Sequence, residues 1–89
     1  MPIDFYNSAD LKREVLLYSL KEDALQKLST CFTEFRSKTG LRIDPYRSTK
    51  FYGSTLLSLA ELCADTDASF SRFLRECYAK DIGLIGEGD

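Results

Sequence analysis

The sequence predicts an all-α fold, a small four-helix bundle-like domain with extended N- and C-terminal segments. Apolar residues recur at steps of three and four along most of the chain, helix-capping residue types stand between those stretches, and no Gly/Ser linker, repeat or low-complexity tract divides them. Its 89 residues leave room for one core, because a chain of this size buries only about 60–65% of the surface it exposes when unfolded. An apolar content of 44% with a net charge of −2 excludes a disordered segment.

The first helix is expected over about residues 9–18, after the capping types Asn7 and Ser8. Leu11, Val15 and Tyr18 share one face there, widened by Leu16, Leu17 and Leu20. Ser19-Leu20-Lys21-Glu22 reads as a capping box that opens a second helix over 20–38, with Leu25, Leu28, Phe32 and Phe35 inward and Gly40 as the left-handed terminator. A stripe through Leu17, Ala24, Leu28, Cys31 and Phe35 also permits one continuous helix over 9–38, a rod of roughly 45 Å that would require a dimer.

Asp44-Pro45 marks a turn in the one substantial loop. Ser48 or Thr49 caps a third helix over 49–64, with Tyr52, Leu56, Leu59, Ala60 and Cys63 inward. Gly53 weakens its first turn by about 1 kcal/mol relative to Ala. Asp65-Thr66-Asp67 caps a fourth helix over 67–80, with Phe70, Phe73, Leu74, Cys77 and Tyr78 on its inner face. The tail from Asp81 is too rich in Gly for helix, so Ile82, Leu84 and Ile85, like Ile3, Phe5 and Tyr6, fold back over the bundle or dock on a second subunit or partner. With the run Val15–Tyr18, they leave more apolar surface than a four-helix core absorbs.

Composition narrows function by exclusion. With no His the chain lacks the usual general base, the Ser-His and Cys-His nucleophile pairs and the commonest transition-metal ligand, so no enzyme is expected. The carboxylate pairs Asp10/Glu14 and Glu61/Asp65 are expected on solvated faces and lack the ligand density of a calcium loop. Lys38-Thr39-Gly40 resembles the K-T-G element of penicillin-recognising enzymes, but no S-x-x-K accompanies it and a helix C-cap explains it. No Gly-rich phosphate cradle precedes a helix, so no cofactor and no metal are expected. Cys31, Cys63 and Cys77 stand far apart among apolar residues and read as reduced, buried thiols in a reducing compartment. No apolar run approaches the ~20 residues of a membrane span, and Met1–Tyr6 has no charged-then-apolar signal pattern, so a cytoplasmic location is expected.

Charge position is more informative than any motif. Arg36, Lys38, Arg42, Arg47 and Lys50 face only Asp44, a local balance of +4, whereas Phe51 to Ser71 carries only Glu61, Asp65 and Asp67, a balance of −3. Arg with an exposed Tyr is the composition that concentrates energy in protein interfaces. The candidate partner-binding residues are therefore Arg36, Lys38, Arg42, Tyr46, Arg47 and Lys50. The expected function is a non-enzymatic protein-interaction module, a regulator, inhibitor or immunity-type protein that binds a larger protein, with an acidic patch expected on the partner where the basic loop is the contact. Two alternatives are a nucleic-acid-binding module using the basic and aromatic loop 36–52, disfavoured by the acidic remainder of the chain, and a self-assembling structural subunit; a homo-oligomer is a possible partner state.

Overall fold

A computed structural model describes residues 2–43 and 46–88, so the turn expected at Asp44-Pro45 lies outside the described residues. The chain is α+β and not an all-α bundle. In chain order it runs β1 (Ile3–Asn7), β2 (Tyr18–Leu20), α1 (Glu22–Thr39), β3 (Ser48–Phe51), α2 (Ser54–Cys63), α3 (Ala68–Ala79) and β4 (Leu84–Gly88). The strands form one antiparallel sheet in the order β2-β1-β4-β3, which places the two terminal segments side by side at its centre. Ile3 stands opposite Gly88 and Asn7 opposite Leu84.

This pairing answers where the apolar ends go. β1 alternates Ile3 and Phe5, both buried, with half-buried Asp4 and Tyr6, the period of a strand with one covered face. On β4 three successive residues, Leu84, Ile85 and Gly86, are buried, as a central strand covered on both faces requires. Leu84 joins the main core with Ile3, Phe5, Leu20 and Phe51 from the other strands. Ile85 points to the opposite face, level with Tyr6 and Lys50.

The helices stack on the Phe5 side of the sheet, and aromatic rings join the layers. Phe5 meets Phe51 edge-on at 6.1 Å and Phe70 at 5.4 Å, Phe51 meets Phe35 of α1 at 6.1 Å, and Tyr18 stacks on Phe73 at 4.8 Å. Gly86 makes the central packing feasible. A Cβ there would lie 3.1 Å from Phe5 Cε1 and 3.3 Å from Ile3 Cγ2, closer than carbon atoms pack comfortably. α2 and α3 are joined by the buried Ser71 hydroxyl, which donates to the Ala60 carbonyl at 2.8 Å.

Two of the four expected helices stand nearly as read. α1 covers 22–39 and ends at Gly40, whose φ of 77° is left-handed and whose N–H bonds the Arg36 carbonyl. α3 covers 68–79, with the Asp67 side chain accepting from the Phe70 N–H at 3.1 Å. The helix over 9–18, and with it the continuous rod over 9–38, is replaced by a loop and β2. Ser19 does not cap α1; its hydroxyl donates to Asp4 Oδ1 at 2.7 Å across the β1–β2 pair.

The third helix starts five residues late. Ser48 and Thr49 pair as β3 with β4, and Gly53, at φ 63°, turns the chain into α2. Tyr52 is therefore exposed rather than inward, and Phe51 takes the core position; Tyr78 of α3, also expected inward, is exposed on the flank of that helix.

Cys31, Cys63 and Cys77 are buried free thiols. Burial, aided by the nearby Cys31, pushes the Cys63 thiol up to about 12 from an ordinary value of 9.0.

Two measurements check this packing. Gly86→Val destabilises the fold by about 1–3 kcal/mol in urea unfolding, because the added carbons meet Phe5 and Ile3. The folded state holds the Cys63 proton more tightly than the unfolded chain, so this contribution to stability is complete below pH 9.0 and is lost as pH rises through about 12. The Cys63→Ala variant, less stable at neutral pH, therefore loses less stability over that alkaline window than the native chain.

Candidate functional site

The ten residues joining β1 to β2, 8–17, form the most unusual surface of the molecule. Polar groups fix the backbone of this loop. Asn7 Oδ1 accepts from the Ala9 N–H at 2.9 Å, Asp10 Oδ2 accepts from the Val15 N–H at 3.0 Å, and Leu17 N–H bonds the Phe5 carbonyl at 2.9 Å. Arg13, held at a left-handed φ of 55°, donates from Nη1 to the Asp10 carbonyl at 2.7 Å and from Nε to Glu87 Oε1 at 3.1 Å. Glu87 is on the sheet face opposite the helices, because it lies two residues beyond Ile85 on β4. The loop is thus tied to β4 as well as to its own strands.

The apolar side chains of this braced loop point outward. Leu11 is 82% exposed, Val15 62%, Leu16 52% and Leu17 36%. Elsewhere the described Phe, Leu and Ile side chains are buried or half-buried, so four large apolar groups exposed on one segment stand out from the rest of the surface. The Val15 N–H holds the Asp10 carboxyl below the usual carboxylate range, with smaller contributions from the Glu14 N–H and the Arg13 charge. Asp10 is therefore a backbone brace rather than half of a helical carboxylate pair with Glu14.

A second surface gathers part of the basic segment. A groove of about 320 Å³ has Ile3, Leu25, Phe32 and Ile43 as its apolar lining, Ser29 and Thr33 along α1, and Arg36 and Arg42 at its charged end. The turn after α1 sets Arg42 in place. Thr39 Oγ1 donates to the Phe35 carbonyl at 2.8 Å and accepts from the Leu41 N–H at 3.1 Å, while Thr49 Oγ1 of β3 donates to the Arg42 carbonyl at 2.7 Å. Arg36 lies in the last turn of α1, where the helix dipole favours a cation.

Of the six residues singled out from sequence, the fold brings only Arg36 and Arg42 to this groove. Lys38 is exposed in the last turn of α1, and Tyr46 and Arg47 are exposed on the connection into β3. Lys50 alternates with the buried Phe51 and so projects from the sheet face opposite α1. The basic segment is therefore divided between two sides of the molecule rather than laid along one track.

Leu11, Leu25 and Phe32 carry no signal of function in sequence, because apolar residues at helical spacing read as core, whereas Ile3 and the run Val15–Tyr18 are visible there only as surplus apolar surface. Among the described residues, no group of three or more His, Cys, Asp or Glu side chains could hold a metal, and no helix is long and apolar enough to cross a membrane. Against known proteins the chain has no match: no family model fits it, and no curated protein sequence and no solved structure is significantly similar.

The brace on the loop is directly measurable. Asp10→Ala removes the acceptor of the Val15 N–H, and amide hydrogen exchange at Val15 accelerates while the exchange of β4 amides stays as in the native chain.

Proposed function

We propose that this chain is a non-enzymatic protein-interaction module that binds a larger protein through the braced β1–β2 loop, inserting Leu11, Val15, Leu16 and Leu17 into an apolar recess of the partner. One observation carries the reading: a loop whose backbone is fixed by Asn7, Asp10 and Arg13 while four large apolar side chains remain in water. A flexible loop would lose affinity to the entropy of ordering on binding, and a pre-formed one avoids most of that cost. Aliphatic groups held in fixed positions contribute binding energy as a partner removes their surface from water, roughly 25 cal/mol per Å² of apolar area. The absence of His from the sequence accords with a role that needs no proton transfer.

The division of the basic residues between two sides of the sheet favours this reading over nucleic-acid binding, which needs cations spaced along one phosphate track. A homo-oligomer built on the same loop is the competing use of the surface.

The test uses affinity capture from the native cell extract with the chain and with a Val15→Asp/Leu16→Asp variant, whose fold is checked by circular dichroism. The native chain retains a protein in stoichiometric amount that the variant releases, and it sediments alone as a monomer at micromolar concentration. Equal retention by both proteins, or a dimer of the native chain that the variant dissociates, replaces this reading.

A further inference from the structure

We infer that the cleft between the end of α3 and the turn from β3 into α2 binds an organic ammonium group, held by the Asp81 carboxylate and the side chains of Tyr52 and Tyr78. The loop reading and this one stand on different residues, so either survives the failure of the other.

Three segments build the cleft. It has a volume of about 250 Å³ and lies at the end of the sheet where Asn7 of β1 and Phe51 of β3 flank Leu84 of β4. Tyr52 and Gly53 line it from the turn, Tyr78 and Asp81 from the end of α3, and Ser8 and Gly83 from the strand ends, where the Ser8 N–H bonds the Gly83 carbonyl at 2.9 Å. A Cβ on Gly83 would lie 2.7 Å from Ser8 Oγ and 3.2 Å from Tyr52 Cβ, so glycine lets the segments come this close. The Thr55 hydroxyl fixes the backbone of Tyr52, accepting from its N–H at 3.1 Å and donating to its carbonyl. The volume is below the roughly 300–1,000 Å³ of pockets for drug-sized ligands, and it suits a single functional group.

Asp81 is a residue that the fold alone does not favour. α3 ends in a Schellman motif, in which the Ile82 N–H bonds the Cys77 carbonyl at 2.9 Å and the Asp81 N–H bonds the Tyr78 carbonyl at 3.1 Å. Asp81 takes the left-handed position of that motif at φ 56°, where glycine fits without strain, as Gly40 does after α1. Its charge also stands at the helix end where the dipole favours a cation. Both features cost stability. Among the described residues the Asp81 carboxylate makes no hydrogen bond and no ion pair, with Lys80 or any other cation, that would offset them. A strained residue with an open anionic group on a cleft is an outlier that points to a ligand.

The tyrosines specify the kind of cation. Helical spacing assigns both to the core, yet Tyr52 is 69% exposed and Tyr78 45%, and both line this one cleft. Tyrosine rings attract cations through the π-system, and a carboxylate beside them adds a full opposite charge. An ammonium with carbon substituents satisfies both, its charge against Asp81 and its methyl or methylene groups against the rings. An anion would meet the charge of Asp81. A calcium ion, which takes about six to eight oxygen ligands, would find a single carboxylate among the described lining residues.

The experiment follows amide NMR shifts of the isotope-labelled chain at constant ionic strength during titration with choline, with a trimethyllysine peptide, and with dimethylbutanol, the uncharged carbon isostere of choline. Choline shifts the amides of Gly53, Asp81, Ile82 and Gly83 saturably and dimethylbutanol does not. Asp81→Asn and Tyr52→Ala/Tyr78→Ala each weaken choline binding by about fivefold, whereas the Val15→Asp/Leu16→Asp variant binds as the native chain does. Asparagine keeps the left-handed turn and removes only the charge, so Asp81→Asn also unfolds at a higher urea concentration than the native chain. Tighter binding of the peptide than of choline assigns the ammonium to a side chain of a partner protein, and the reverse order assigns it to a free small molecule. The proposal is overturned if neither ammonium probe shifts the cleft amides, if dimethylbutanol binds as tightly as choline, or if glucose shifts those amides where the ammonium probes do not. It is also overturned if Asp81→Asn leaves the titration unchanged or lowers the urea midpoint, which would make the carboxylate a structural group.

Discussion

The structure depends on the packing of Phe5 over Gly86. These two residues face each other across the central strand pair, and the missing side chain on β4 lets the Phe5 ring lie across the neighbouring strand toward Phe51 and Phe70. From that ring the aromatic contacts spread in two directions, to α1 through Phe51 and Phe35, and to α3 through Phe70, which also meets Tyr18. Each helix of that pair is thereby set relative to the sheet. The placement of α1 then decides where the arginine groove opens, since Leu25, Phe32 and Arg36 are positions on its flank while Leu28, Cys31 and Phe35 are fixed in the core.

Sequence alone conveyed the helices in which apolar spacing and one terminal signal agree. α1 is bounded by Gly40 and α3 by Asp67, and both have buried residues at helical spacing, so pattern and caps agree. The stretch 9–18 satisfied the same spacing through Leu11, Val15 and Tyr18, yet only Tyr18 packs inward. Periodicity reports that a helix could bury one face, not that a face is available to bury it against. The sheet was hidden for a related reason. Its strands are three to five residues long, too short for a period of two to stand out, and the partner that makes each one stable is far away in sequence.

The two surfaces differed in the same way. Arg36 and Arg42 were visible as charge, because a local balance of +4 in a nearly neutral chain needs no fold to be seen. Their apolar company was not, since Ile3, Leu25, Phe32 and Ile43 are chemically ordinary core residues until the fold leaves one flank of them open. The surplus of apolar residues around Val15–Tyr18 was legible as a quantity. Only the hydrogen bonds of Asn7, Asp10 and Arg13 show that the surplus is displayed on a fixed loop.

The pairing of Ile3 with Gly88 has a kinetic meaning as well as an architectural one. The central ladder of the sheet closes almost the whole chain into one loop, so its contacts are of the highest order available to a molecule this size, and the entropy of closing that loop is spent before the ladder returns any energy. During synthesis the first strand emerges early and has to wait for the last one. Until β4 leaves the ribosome, Phe5 lacks the strand on which it rests, and Leu11, Val15 and Leu16 are already exposed beside it. A nascent chain that has not yet made β4 therefore displays apolar surface that the finished sheet covers, and pairing of β4 between β1 and β3 closes the fold.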